Sequence, residues 1–220
     1  MTPKEIQYLI GIDTRSMNII RDTISGEDSG FASGQSPTRV DLTKSITHWD
    51  RRTKIRRVLW EWFLKPIFLS LPRPCGRQRI ALLRLMGAKI GDNCLIEPGV
   101  NVLMPWNLSL ASFIAIGRQV EIYNYALVEI DKMTVVSQYS YLCTGTHDYT
   151  HPHMPLIWKP IRIGSECWIA AGVFVGSGRT IGDGVVIGAR SVVTSDMPPW
   201  TVCAGNPCKP LKPRVLRTVE

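Results

Sequence analysis

The sequence predicts an all-β solenoid, a parallel β-helix of six-residue repeats, preceded by an N-terminal helical extension. Three observations carry this. In "IRIGSECWIAAGVFVGSGRTIGDGVVIGARSVVTSD" an aliphatic residue returns at every sixth position: Ile163, Ile169, Val175, Ile181, Ile187 and Val193. A small residue follows each one: Gly164, Ala170, Gly176, Gly182, Gly188 and Thr194. The same phase runs earlier through Ile90, Ile96, Val102 and Leu108. After two-residue slips it resumes through Ile116, Ile122 and Val128, then Val136 and Leu142. A period of six is neither the helical 3.6 nor a hairpin spacing. It fits a coil in which each hexad is one short strand plus a turn. The aliphatic side chain fills the narrow interior. The next residue is small because the turn backbone lies close to its neighbour and admits positive φ.

The elements follow in order. Residues 1–45 are weakly patterned, and "SGEDSGFASGQSPT" reads as a mobile, variable arm. Residues 46–88 mix Arg and Lys with large apolar side chains. Trp49, Ile55, Val58, Leu59, Trp62 and Phe63 recur at near-helical spacing, with Arg51, Arg52, Arg56 and Arg57 between them. This is a basic amphipathic helix, expected to end or kink at Pro66. "LPRP" breaks the chain, and "RQRIALLRLMG" gives a second short helix stopped by Gly87. Such a segment can cap the following domain with its apolar face or lie on an anionic membrane surface, and the two are compatible. Residues 89–200 form the β-helix, with three hexads to each triangular coil. An excursion from the coil is expected over 148–162, where the period stops before resuming at Ile163. Residues 201–220 are a basic tail.

Composition narrows the classes. The 220 residues suffice for one substantial domain plus an extension. The formal charge of +8 calls for an acidic partner, whether a phosphorylated cofactor, an anionic membrane face or nucleic acid. Nucleic-acid binding would account for the charge but leave the repeats without a purpose. Six cysteines without a CxxC spacing, and an N-terminus lacking the plan of a signal peptide, point to free thiols in a reducing cytoplasm. No apolar run approaches the roughly 18–20 residues that span a bilayer.

The motif that carries chemistry is "YLCTGTHDYTHPHMPL", which holds His147, His151 and His153. His147 ends the hexad "LCTGTH", on a rigid coil beside a loop able to cover a substrate. That is a fitting place for a general base, a role worth about 10²–10⁴-fold in rate. His151 and His153 flank Pro152 out on the excursion. A zinc site would need converging ligands, and no Cys, Asp or Glu cluster stands nearby, so no metal is expected. No nucleophile-elbow serine is present.

The hexads, together with "LLRLMGAKIG", "MPWNL", "YLCTGTHDY", "PIRIGSECWIAAGVFVG" and "VCAGNPCK", resemble the hexapeptide-repeat, left-handed β-helix O-acetyltransferases. The resemblance is strongest to the colanic acid biosynthesis branch; galactoside, maltose and nodulation-factor acetyltransferases are more distant. It covers roughly residues 80–214. It implies left-handed coils and a homotrimer with active sites between subunits. The implied reaction is acetyl transfer from acetyl-CoA to a hydroxyl of a sugar or polysaccharide precursor, with His147 as base. On the acceptor side it implies Asn124 and, more weakly, Asp131, although Asn124 also reads as a turn residue satisfying its own backbone. Asp148, next to His147, is a further substrate-side candidate: it could orient the imidazole, or, since adjacent residues on an extended chain point oppositely, serve as a loop hydrogen-bonder. On the cofactor side it implies Trp168, Thr194, Lys209 and Lys212, although Trp168 also reads as packing between coils or subunits and the lysines as a solvated basic tail; the small Ala171 and Ala189 would let an extended pantetheine arm approach the coil. Ser195 stands where relatives often carry Lys. The basic segment could hold the enzyme near a lipid-linked acceptor, peripheral to the membrane. The same scaffold also serves amino-sugar N-acetyltransferases, serine acetyltransferases, non-catalytic hexapeptide modules and γ-carbonic-anhydrase-like metalloenzymes.

Overall fold

The computed structural model describes residues 39–218 apart from residues 46 and 48. The variable arm expected over 1–45 lies outside the described residues up to residue 38.

A helical segment comes first. Asp50 caps α1 (Arg51–Val58), its Oδ2 accepting the Thr53 N–H at 3.1 Å. A wide π-turn, Leu59–Leu64, leads directly into α2 (Lys65–Ser70). Of the two outcomes expected at Pro66, an end or a kink, the helix does not end there but is distorted just ahead of it. Proline lacks an N–H and its ring opposes the carbonyl four residues back. The π-turn widens the helix just ahead of it, with the Lys65 N–H reaching back five residues to the Trp60 carbonyl. After Leu71 and Pro72 comes α3 (Gly76–Leu85), closed at Gly87, whose φ of +97° is a left-handed value.

The face that packs is not the one the spacing suggested. Trp60 and Phe68 are buried together, and the Trp60 indole N–H donates to the Val102 carbonyl at 2.8 Å, pinning the helix to the solenoid. Ile55, Val58, Leu59, Trp62 and Phe63 face solvent. Arg79, 1% exposed, donates to the carbonyls of Ile96, Leu71, Pro72 and Arg73 at 2.8–3.2 Å and ties the inter-helix loop to the first coil.

The first strand of the solenoid begins at Lys89. Its first coil is β1 (Lys89–Ile90), β2 (Leu95–Ile96) and β3 (Asn101–Val102). The second is β4 (Leu108–Leu110), β5 (Ala115–Ile116) and β6 (Glu121–Tyr123). The third is β7 (Val128–Ile130), β8 (Val135–Val136) and β9 (Tyr141–Cys143). A hairpin of β10 (Gly145–His147) and β11 (Leu156–Trp158) then leaves the coil. The fourth coil is β12 (Ile161–Ile163), β13 (Trp168–Ile169) and β14 (Phe174–Val175). The fifth is β15 (Thr180–Ile181), β16 (Val186–Ile187) and β17 (Val192–Val193). β18 (Thr201–Gly205) and β19 (Cys208–Pro213) close the end.

Corresponding strands stack in parallel into three faces. Face one is β1-β4-β7-β12-β15, face two β2-β5-β8-β13-β16-β18, and face three β3-β6-β9-β14-β17. Residues 201–213, expected as a tail, instead continue face two: β18 pairs with β16 and folds back on β19 as an antiparallel hairpin. The interior column of face one is Ile90, Leu110, Ile130, Ile163 and Ile181. Leu108 and Val128, assigned to the six-residue phase from sequence, are buried two residues ahead of that column.

This register locates the slips. Eight residues separate Val102 from Leu110 and Ile122 from Ile130, and twenty-one separate Leu142 from Ile163. All three insertions fall where face three turns into face one, called here the closing corner. The small residues after each inward aliphatic are required by close approach rather than by φ. A Cβ on Gly182 would lie 2.7 Å from the Pro199 nitrogen, and one on Gly117 2.6 Å from the Gln138 nitrogen. Neither glycine has positive φ.

Candidate active site

The hairpin at the closing corner carries His147. The sequence placed this residue at the end of a coil; the structure places it on β10, already off the coil, opposite Leu156. The excursion thus starts at Thr144, whose hydroxyl accepts the Ala126 N–H and whose carbonyl accepts the Lys159 N–H, closing the hairpin root.

The imidazole of His147 is exposed, and its Nδ1 lies 2.7 Å from the Met154 carbonyl. A carbonyl oxygen only accepts, so this bond requires Nδ1–H. In neutral imidazole the lone pair then sits on Nε2, the nitrogen pointing away from the loop. This is the tautomer a general base needs. Side chains alternate along a strand, so His147 leaves the hairpin on the same side as Gly145. A Cβ on Gly145 would meet the Tyr125 ring at 2.9 Å and the Tyr123 ring at 3.3 Å. His147 therefore projects on the tyrosine side of the hairpin.

Aromatic rings line that side. Trp49, Tyr125 and Trp158 lie nearly parallel with centroids 5.3–6.1 Å apart. Tyr123 meets Tyr125 edge-on, their hydroxyls 3.1 Å apart. That hydrogen bond, reinforced by burial, pushes the Tyr123 phenol up to about 12. Between this platform and α1 lies a cleft of about 590 Å³, walled also by Arg52, Arg56, Trp106 and Asn107. A smaller cleft of about 250 Å³ lies at Thr146 and is lined by Gly176, Ser177, Arg179 and Thr194. Sequence reasoning singled out neither the platform nor Arg179, because their members are far apart along the chain.

The remaining predicted residues distribute as follows. Asn124 is fully buried. Its Oδ1 accepts the Met104 N–H at 2.9 Å and its Nδ2 donates to the Met104 carbonyl at 2.8 Å, the structural role that the sequence left open beside acceptor contact. Asp148 does not orient the imidazole. Its Oδ1 accepts from the Thr150 N–H and hydroxyl, and those bonds hold its carboxyl below the usual carboxylate range. Asp131 sits at a different corner, between β7 and β8. His151 and His153 support the loop: the His153 N–H donates to His151 Nδ1 at 3.0 Å, and His153 Nδ1 bonds the Asp41 carbonyl at 3.0 Å. Among the described residues no group of three or more His, Cys, Asp or Glu side chains is placed to hold a metal ion.

Of the cofactor candidates, Trp168 is half exposed on face two, its indole N–H donating to the Ser137 hydroxyl at 3.0 Å. It stands in one outward row with Val186, Val202 and Lys212. Three strand spacings give that row a length of about 14 Å. Lys209 lies further along β19, opposite Ala204. Ala171 and Ala189 occupy the corner between faces two and three, and Thr194 lines the smaller cleft. Small residues at that corner and two exposed lysines on β19 suit an extended, amide-rich arm bearing phosphates. Within one chain, however, Trp168 and His147 stand on different faces.

Comparison with known proteins bears on this arrangement. Residues 160–195 match the family described as bacterial transferase hexapeptide (six repeats). The chain is 44% identical over 161 residues, 73% of its length and 88% of the relative's, to the Escherichia coli (strain K12) protein WcaF, which carries the name of a colanic acid biosynthesis acetyltransferase. A maltose O-acetyltransferase from Clostridium difficile 630 superposes with a TM-score of 0.68 at 27% identity, covering 76% of this chain and 90% of that one. A galactoside acetyltransferase in complex with coenzyme A superposes with a TM-score of 0.65 at 28% identity, covering 80% and 92%.

Proposed function

The chain belongs to the hexapeptide-repeat acetyltransferases and uses acetyl-CoA, and from that premise we propose that it acetylates a hydroxyl of a sugar or polysaccharide precursor with His147 as general base. The observation that carries the mechanism is the Met154 carbonyl held against His147 Nδ1. Nε2 takes the proton of the acceptor hydroxyl as that oxygen attacks the thioester carbonyl. The C–S bond breaks, and the imidazolium returns the proton to the departing thiolate. The carbonyl of Met154 stabilises the imidazolium formed in passing and fixes the ring's orientation. No enzyme nucleophile is needed.

Of the predicted cofactor residues, Thr194 lines the cleft at Thr146 beside its own hairpin, whereas Trp168, on face two, and Ala171 and Ala189, where face two turns into face three, stand away from the corner that carries His147. This supports a homotrimer in which Trp168, Ala171, Ala189, Lys209 and Lys212 of one subunit serve the hairpin of the next. Asp131, at another corner, would likewise reach an acceptor only across such an interface. The solvent-facing apolar side chains of α1 and the π-turn, flanked by Arg51, Lys54 and Arg57, support contact with an anionic membrane surface. No helix among the described residues is long and apolar enough to cross a membrane.

An acetyl-CoA turnover assay against sugars, sugar nucleotides and lipid-linked sugars tests the reading. His147→Ala should lose about 10²–10⁴-fold in kcat while coenzyme A still binds. Unchanged turnover would refute it. Particle mass by light scattering, at one or three chains, tests the trimer. Co-sedimentation with anionic vesicles, lost in Trp62→Asp, tests the membrane contact.

A further inference from the structure

We propose that the large cleft between α1 and the closing corner is the acceptor subsite and that it selects a sugar bearing a phosphate or diphosphate. The inference rests on the acetyl-transfer reading and names its substrate class.

The first argument is position. Trp158 pairs with Gly145 across the hairpin, so both share the face from which His147 projects. Two strand residues place His147 about 7 Å from the cleft wall at Trp158, the span of one pyranose ring and its hydroxyl. The second argument is chemistry. Near-parallel Trp49, Tyr125 and Trp158 give an apolar platform for the carbon face of a sugar, and Asn107 and Thr53 line the same cleft.

The third argument is charge. Arg52 and Arg56, one helical turn apart, both face the cleft. Arg56 is fixed by its bond to the Met86 carbonyl at 2.8 Å and by stacking over Trp106 at 4.4 Å. Burial, and then the Arg52 charge, hold its guanidinium below the usual value. Neither arginine pairs with a carboxylate among the described residues, and the one acid of the cleft, Asp50, caps α1. Two guanidiniums at one wall match a phosphate's oxygens.

The fourth argument points from anion to phosphate. Ile55 and Leu59 follow Arg52 by three and seven residues on the same helical stripe. They are exposed by 68% and 45%, and the stripe continues into Trp62 at 77%. Arg52 thus stands on the seam between the cleft and an apolar surface, where a glycosyl diphosphate with a lipid tail would be held by both.

Calorimetry gives a test independent of turnover. The probes are inorganic pyrophosphate, glucose 1-phosphate, glucuronate and glucose. The two phosphate-bearing probes should bind, with glucose and glucuronate at least tenfold weaker. Arg52→Ala should weaken the phosphate-bearing probes by about tenfold, whereas the charge-matched control Arg77→Ala should not. Absence of phosphate binding, equal binding of glucuronate, or an unchanged Arg52→Ala variant would overturn the proposal. Turnover then separates the two readings. His147-dependent transfer without a preference for phosphate-bearing acceptors sinks the subsite alone. Phosphate binding without any transfer sinks the acetyl-transfer reading alone. Comparing KM for a nucleoside diphosphate sugar and for a polyprenyl diphosphate-linked sugar identifies the source of the phosphate, and a lower KM for either than for the free sugar supports the subsite.

Discussion

Removing the guanidinium of Arg79 should detach the helical segment from the solenoid. Among the described residues Arg79 is a cation buried without a carboxylate partner; its charge is met by four backbone carbonyls. In Arg79→Met the side-chain volume is roughly kept, so no large cavity opens. The carbonyls of Leu71, Pro72 and Arg73 lie in a loop near solvent and can recapture water. The Ile96 carbonyl, on a residue 1% exposed, cannot. One stranded acceptor costs about 1–3 kcal/mol, and three charge-assisted bonds exchanged for water cost roughly another 0.5–1 kcal/mol each. A loss of about 3–5 kcal/mol follows, the usual range for breaking a buried charge network. Arg79→Lys should recover only part of it, because an ammonium cannot reach both Ile96 and the loop with one fork. Urea unfolding followed by tryptophan fluorescence reads this directly. A loss within about 0.5 kcal/mol of zero for Arg79→Met would refute the reasoning. Because α1 walls the large cleft, the same variant should raise the acceptor KM and leave coenzyme A affinity nearly unchanged.

Three further outcomes are expected. Gly145→Ala would drive a Cβ into the Tyr125 and Tyr123 rings and so tilt the hairpin; kcat should fall at least tenfold while the melting temperature moves by only a few degrees, by steady-state kinetics and calorimetry. Cys167, Cys203 and Cys208 are buried, whereas Cys75, Cys94 and Cys143 are partly exposed, so a thiol reagent at pH 8 should react promptly with at most three of the six cysteines in native protein. Burial pushes the Cys203 thiol from its ordinary 9.0 up to about 11, so the folded state holds that proton more tightly than the unfolded chain. Stability from this group is intact below pH 9 and should fall by roughly 2–3 kcal/mol as pH rises to 11, a slope that Cys203→Ala should flatten in urea titrations.

The coils were readable because a solenoid interior is one side chain deep, so a single position in six reports burial. Sequence could not tell which of two aliphatics turns inward when a corner lengthens; Leu108 and Leu110 both bury, and only strand register separates them. The hairpin start was missed for a related reason. "GTH" continues the local pattern of the strands before it, and only its pairing with "LIW" shows that the chain has left the coil. On the helix, spacing found an amphipathic face but not its direction. Trp60 and Phe68 decide that, and a π-turn shifts the stripe between them. The cleft was out of reach, since Trp49 and Arg52 meet Tyr125 and Trp158 across roughly seventy to one hundred positions of chain. His147 was legible as a candidate; its bond to the Met154 carbonyl, across a turn of unpredictable shape, was not.

The three insertions stacked at the closing corner separate two properties that most enzymes entangle. Each coil is held by its neighbours chiefly through the three stacked faces, so stability is close to a sum over coils. In the proposed reading acceptor choice, by contrast, resides in α1 together with the segments 103–109, 123–129 and 143–160, which gather at one edge of the solenoid. Those segments can therefore be exchanged as cassettes between solenoids of this kind. The grafted chain would inherit its melting behaviour from the host and its sugar preference from the donor.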